Sequence, residues 1–305
     1  MQALIQALPF DPAALAGLSE RLLKSHHANN YSGAVKRLNA IRARLESLPF
    51  ATTPGFELNG LKREELVACN AMLLHELHFA SMGGDGVTMV PAMELALSAS
   101  FGSLARWREE FVAMGRALAG GSGWVVLTFL AREGRLVNQW ASDHSQALAG
   151  GVPLLALDMY EHAYQLDFGA DAGAWVDAFM ANLNWDTVYR NYQQAVEGAS
   201  DSFGADHGDL AGATLLDVRR AGAFDGATQM LPQALWRDPA LVGSWGASID
   251  PAQPVVVYCV YGHEVCRATA LRLRSQGRNV RFLRGGIDGW QRAGLPLVDK
   301  KEVQS

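Results

Sequence analysis

The chain has 305 residues, 49% of them apolar and 19% charged, with a formal net charge of −5. That length exceeds one compact core of ordinary size and favours two domains, and the composition is globular rather than disordered or collagen-like. The mildly acidic balance, without a basic run, argues against nucleic acid, and no stretch reaches the ~18 uninterrupted apolar residues of a membrane span.

Residues 18–48 are predicted as helix. Leu38, Ile41, Leu45 and Leu48 recur at helical spacing, Leu22, His26, Asn29 and Gly33 continue a stripe earlier on, and Ser19 suits the N-cap. A loop containing Pro and Gly (49–60) leads to a second helix from about Lys62 to Ser81, so an antiparallel hairpin is expected. SMGGDGVTMVPA breaks the pattern, and helices resume over 91–119. From residue 121, GSGWVVLTFLAREGRLVNQWAS is β-branched and aromatic with a turn at Arg132–Gly134, which predicts two adjacent strands. A further strand closes at LDMYEHAY, residues 157–164, before helices at about 171–195. The first domain, 1–198, is therefore predicted as α+β: a long α-hairpin (~1–90), then a small antiparallel sheet with helices (~91–198). Residues 197–213 hold four acids and no Lys or Arg among many small residues, a linker by composition, with the boundary placed at 199–205. Beyond it, TLLDVR and PVVVYC read as buried strands, EVCRATALRLRSQG as a helix and NVRFLRGG as another strand. Such alternation implies an α/β domain with a parallel sheet over 206–305.

Asp158 and His162 lie four apart in an apolar setting, where both are costly to bury unpaired. Either they satisfy each other or they hold something. His26 faces the same side as Leu22 on the first helix, and His75 shares a stripe with Met72 and Phe79 on the second. Antiparallel helices can bring both to one buried level, with Asp158 and His162 entering from the sheet. Imidazole and carboxylate together suit iron, manganese or zinc. The alternative is that each histidine is an ordinary satisfied core residue. HELH at 75–78 spaces its histidines i, i+3, not the i, i+4 of the metalloprotease helix, so no protease reading follows. Three cysteines (69, 259, 266) without a CxxC cannot build a secreted disulfide framework, and the opening MQALIQALPFDPAALAG lacks a signal-peptide pattern. A reduced, cytoplasmic protein is expected.

The first ~198 residues resemble the iron/manganese superoxide dismutase family. The resemblance rests on ALPF…AL, HHANNYSGAVKRLN, FGSLARWREEF, GSGWVVL, DMYEHAY and NLNW, in the family's order and spacing. It implies one iron or manganese ion per subunit, held by His26, His75, Asp158 and His162, with water or hydroxide as fifth ligand. It also implies a homodimer, possibly a tetramer, in which Glu161 reaches the partner's His162. The metal would alternate between trivalent and divalent states, converting superoxide to oxygen and hydrogen peroxide. Departures from the family pattern are specific. The family's solvent-bonding glutamine falls on Ala71 in the helix and on His144 in the sheet, so His144 is read as the solvent partner. The gateway tyrosine falls on Ala34, a neighbouring histidine on Asn30, and the tyrosine after EHAY on Gln165. Asn30 and Gln165 are expected to pair across the subunit interface. Tyr160 replaces the signature's tryptophan, and His78 sits where an aromatic is usual. His27 and Tyr31 either refill the substrate funnel or are ordinary packing residues, and Trp124 walls the site.

Residues ~206–300 resemble a rhodanese domain through LLDVRRAGAFDGA, VVVYCVYGHEV and RGGIDGWQRAGLPL. Cys259 is then the candidate nucleophile, with Val260, Tyr261, Gly262, His263 and Glu264 as its cradle. Backbone N–H groups and a helix N-terminus would favour its thiolate. Glu264 stands where an arginine is usual, and an anion there opposes both thiolate and an anionic donor. Cys266 is read as packing rather than as a resolving thiol, and Cys69 as helix core. The function expected is superoxide dismutation with an appended rhodanese-like domain. The alternatives are a sulfurtransferase on a dismutase-like scaffold, or a redox sensor.

Overall fold

The computed structural model describes residues 2–300, so residue 1 and residues 301–305 of the two expected domain spans lie outside the described residues. Ser19 caps α1 (Glu20–Ser25), its hydroxyl accepting from the Leu22 amide at 3.0 Å. A π-helical turn, His26–Tyr31, joins α1 to α2 (Ser32–Glu46) without a break. That turn rephases the stripe read from sequence: Leu22, His26, Tyr31 and Val35 are buried, and Asn29 is exposed. A π turn takes an extra residue, so the buried face steps by five there. α3 (Gly55–Ala80) packs on α2 and starts at Gly55 rather than Lys62, directly after Pro54, whose extended backbone sets the boundary.

α4 (Pro91–Phe101) and α5 (Leu104–Ala117) follow, then β1 (Trp124–Leu130), β2 (Arg135–Ala141) and β3 (Gly151–Asp158). These strands form an antiparallel sheet in the order β2–β1–β3. Central β1 is buried from Trp124 to Phe129 because the sheet lies among helices. Its register sets Trp124 opposite both Asp158 and Ala141. α6 (Gln165–Phe168), α7 (Ala172–Ala181) and α8 (Trp185–Ser200) complete this half.

The second half carries β4 (Gly204–Ala205), β5 (Thr214–Asp217), α9 (Ala221–Asp225), β6 (Gln229–Met230), β7 (Leu235–Trp236) and α10 (Val242–Trp245). β8 (Val255–Tyr258), α11 (Glu264–Ser275), β9 (Val280–Leu283), α12 (Gly286–Arg292) and β10 (Val298–Asp299) follow. The sheet is parallel, ordered β4–β9–β8–β5–β7, while β6 and β10 pair separately. In LLDVR the buried Arg219 donates through Nε to both Asp217 oxygens, at 2.9 and 3.0 Å, and Tyr258 Oη donates to the same carboxylate at 3.0 Å. A buried charge needs such complete pairing.

The segment expected as a linker is structured. After α8 comes a 3-10 turn (Asp201–Phe203), and β4 joins the parallel sheet against β9. The acids that made it look solvated meet arginines from far along the chain. Arg284 donates to Asp201 at 3.1 Å, Arg281 to Asp209 at 3.1 Å, and Arg267 lies 3.6 Å from Asp201.

The two halves share one packed seam. Ala268 and Leu271 of α11 belong to the same apolar cluster as Val188, Tyr192 and Val196 of α8. Arg272, from the same helix, donates to the Gly134 carbonyl at 2.9 Å, the Ala99 carbonyl at 2.7 Å and the Ser100 hydroxyl. Among the described residues no helix is long and apolar enough to cross a membrane. Charged hydrogen bonds contribute about 1.5–3 kcal/mol each before losses are shared. Arg272→Ala is therefore expected to cost about 3 kcal/mol and to split calorimetric unfolding into separate transitions for the two halves. An unchanged trace would mean that this guanidinium does not fasten the seam.

Candidate functional site

Four side chains from separate elements converge inside the first half. His26 comes from the π turn, His75 from α3, Asp158 from the end of β3, and His162 from the 3-10 turn Glu161–Ala163. Their ligand atoms all lie within 4.8 Å of one another. Asp158 Oδ2 is 3.0 Å from His26 Nε2, 3.3 Å from His162 Nε2 and 3.4 Å from His75 Nε2. His26, His75 and Asp158 are buried, whereas the His162 side chain is 27% exposed.

Backbone groups orient this cluster. Tyr160 N–H donates to Asp158 Oδ1 at 2.9 Å, turning Oδ2 inward. Trp175 Nε1 donates to the Asp158 carbonyl at 2.8 Å. His75 Nδ1 bonds the Ala71 carbonyl at 2.6 Å, so its proton sits there and Nε2 presents a lone pair. That Nε2 is buried and has no hydrogen-bond partner. Burial pushes the His75 pKa down to about 3 and that of His26 down as well. Burial opposes ionisation of Asp158, but hydrogen bonds to His162 and His26 hold its carboxyl well below the usual range. Neutral imidazoles beside a carboxylate, one nitrogen without a partner, make the donor set a divalent or trivalent cation requires. The residues fit a metal.

The surrounding shell follows the expected residues only in part. Trp124 Nε1 donates to His144 Nδ1 at 3.0 Å, which leaves Nε2 as the proton-bearing atom of that ring. Tyr160 stacks on His144, ring centres 4.7 Å apart, and on His162 at 5.3 Å. Asn70, which sequence reasoning passed over, donates to the His144 carbonyl at 2.6 Å. His78 bonds the Ala156 carbonyl through Nδ1 at 3.0 Å and stacks on Phe179; its Nε2 is buried without a partner. His27 and Tyr31 line one cavity of about 240 Å³ with Glu76 and Phe79, and Tyr31 Oη donates to Glu76 at 2.8 Å. Ala34 is buried, Asn30 half-buried, and Glu161 and Gln165 exposed. Asn30 and Gln165 therefore stand at or near the surface.

In the second half, Cys259 follows β8 and the loop 260–263 leads into α11. Gly286, at φ +57°, presses against this loop: a Cβ there would lie 2.5 Å from the Cys259 carbonyl and 2.7 Å from Gly262 N. Only glycine fits. Glu264 is buried, but its carboxylate faces α8, where Tyr189 Oη donates at 2.7 Å and Gln193 Nε2 at 3.1 Å. Cys259 Sγ lies 3.2 Å from Cys266 Sγ. Cys266 is packed in the apolar cluster as expected, and helical periodicity carries no sign of the sulfur it meets there. Cys69 is half-buried beside Leu38, Ile41 and Leu45.

Residues 90–191 match the family described as iron/manganese superoxide dismutases, C-terminal domain. The chain is 58% identical to a "Superoxide dismutase [Fe]" of Cupriavidus metallidurans over 192 residues, which is 63% of this chain and 97% of that one. The chain belongs to the iron/manganese superoxide dismutase family. Other family members are a "Superoxide dismutase [Mn] 1" of Halobacterium salinarum, 35% identical over 62% of this chain and 94% of that one, and a "Superoxide dismutase [Fe]" of Aquifex pyrophilus, 31% identical over 61% and 89%. Residues 204–293 match the rhodanese-like domain, so this family member carries a second module at its C-terminal side.

The buried histidines of the dismutase half dictate a pH response of the chelator-stripped protein. His75 and His78 have pKa values near 3 when folded against an ordinary 6.5, both lowered by burial. Between those limits the unfolded chain takes up protons that the folded chain refuses, so stability falls as pH drops from 6.5 toward 3. Each histidine adds up to about 1.4 kcal/mol per pH unit to that slope. Urea midpoints recorded across the window check this, and a flat profile would contradict neutral burial.

Proposed function

We propose that His26, His75, Asp158 and His162 hold one iron or manganese ion per subunit, and that the protein dismutes superoxide there to oxygen and hydrogen peroxide. The observation that carries this is the convergence of four donor atoms within 4.8 Å, with His75 Nε2 buried and unpartnered. When bound, the ion supplies one-electron redox chemistry, alternately taking an electron from one superoxide and giving one to the next. The protein's own part is positional and protonic. Ala71 and the Tyr160 amide fix the direction of a nitrogen and an oxygen lone pair. Trp124 sets the His144 tautomer, leaving Nε2–H as the ring's donor toward solvent in the site. His144 thus takes the part that a glutamine plays elsewhere in the family.

Replacing His75 or Asp158 by Ala is expected to abolish metal retention and dismutation. The first half should lose a few kcal/mol, since neighbours are left unpaired. Full activity in either variant would remove the assignment. His144→Ala should keep the metal but lose about 10–100-fold in turnover, and His144→Gln should recover much of it. Parent-like behaviour of His144→Ala would move the solvent partner elsewhere, with His78 the next candidate.

The same reading makes the protein a cytoplasmic homodimer joined through the dismutase half. His162 is a ligand histidine that one subunit leaves 27% exposed, beside exposed Glu161, Gln165 and Leu166. A second subunit over this face would dry the site, let Glu161 accept from His162 across the two-fold, and bring the amides of Asn30 and Gln165 within bonding reach. Glu161→Ala should weaken the dimer in sedimentation experiments and lower metal content together. A monomeric parent would refute the interface. Free thiols at Cys69, Cys259 and Cys266 suit a reducing compartment.

A further inference from the structure

The two sulfurs in the rhodanese-like half are built unequally. Cys259 sits where β8 ends and lines a cleft of about 190 Å³ together with Tyr189, Arg220, Tyr261 and His263. Cys266 lies in the first turn of α11, sealed in the apolar cluster with Val257, Ala270 and Phe282. Its Sγ lies 3.2 Å from Cys259 Sγ and 3.4 Å from the His263 carbonyl. Hydrogen bonding from Cys266, then from the Cys266 and Gly262 amides, outweighs burial and lowers the Cys259 pKa to about 7. Burial, with Cys259 beside it, raises that of Cys266. One thiol is therefore poised to ionise toward a cleft, and its partner waits behind it with its proton. Glu264, the residue that opposes the thiolate electrostatically, is engaged by Tyr189 and Gln193 of α8.

We propose that Cys259 and Cys266 form a dithiol that reduces hydrogen peroxide and closes to a disulfide. The Cys259 thiolate attacks one peroxide oxygen; the S–O bond forms, the O–O bond breaks, and hydroxide leaves to become water. Cys266 sulfur then attacks the Cys259 sulfenic acid; the S–S bond forms, the S–O bond breaks, and the departing hydroxide takes the Cys266 proton as a second water. Two sulfurs each give up one electron, and the two peroxide oxygens take them. Closing the contact to a bonded length near 2.05 Å needs a shift of about 1 Å. The oxidant is the product of the proposed dismutation, but the test supplies peroxide directly, so the two readings stand or fall separately. Closure would also remove the nucleophile needed for sulfur transfer.

Full-length reduced protein should be treated with hydrogen peroxide in small molar excess, and free thiols, intact mass and linked peptides followed. The expected result is loss of two of the three thiols, a mass lower by two hydrogens, a Cys259–Cys266 linked peptide, and reversal by dithiothreitol. Cys69, packed beside Leu38, Ile41 and Leu45 with no second cysteine in that cluster to close on, should keep its thiol. In Cys266→Ser, or in Cys266→Ala if the serine variant fails to fold, dimedone should trap a sulfenic acid at Cys259 with no disulfide. Three free thiols in the parent after treatment would overturn the proposal. So would a parent in which Cys259 passes to sulfinic acid while Cys266 remains a thiol.

Discussion

A carboxylate sealed at the end of an apolar strand sets the terms for the first half of the molecule. Asp158 is fully buried, and an ion there costs several kcal/mol unless its surroundings repay the loss of water. Repayment needs donors from every side, and no single element can supply them. The π turn brings His26, and the turn after β3 brings His162 and the Tyr160 amide to the carboxylate, while the Trp175 indole of α7 donates to the same residue's main-chain carbonyl. Phe79, Trp124 and Phe179 exclude water around this cluster. The long hairpin and the small sheet are two walls around one ion site.

Much of that arrangement could be read from residue order. Periodicity located α2 and α3, alternation and β-branching located β1 and β2, and residue type singled out the four donors. What sequence periodicity misses is phase. The single extra residue of the His26–Tyr31 turn shifts the buried face from Asn29 to Tyr31, and propensity does not signal such a turn. The alternative that each histidine is independently satisfied fails on one atom, His75 Nε2, which no sequence pattern could have exposed. Orientation of the outer shell was equally hidden. His144 was recognisable as a polar substitute, but the Trp124 bond that fixes its tautomer depends on strand register.

What the sequence leaves hidden in the second half has one cause. Composition made 197–213 a linker because its acids had no local partners, yet Arg267, Arg281 and Arg284 lie tens of residues away in sequence and close in space. Glu264 does oppose the Cys259 thiolate, as its sign implies; what the loop alone does not reveal is that Tyr189 and Gln193, from the other half of the chain, hold its carboxylate. Cys266 packs as its buried helical face implies, but that face says nothing of the sulfur opposite. Each of these contacts joins segments that local reasoning treats separately.

α11 begins at Glu264, which α8 grips, carries Cys266 in its first turn, and holds in its last turn Arg272, which fastens α4 and the β1–β2 turn. A rigid rod held at both ends makes the sulfur chemistry and the docking of the halves parts of one thermodynamic cycle. Reciprocity then governs both: whatever free energy the docked arrangement lends to one ionisation or oxidation state of Cys259, that state returns to docking in equal measure. A module appended to an enzyme can be a passenger on a tether. Here the attachment is a shared helix, so free energy that a change at the sulfur would cost α11 would be felt at the seam as well.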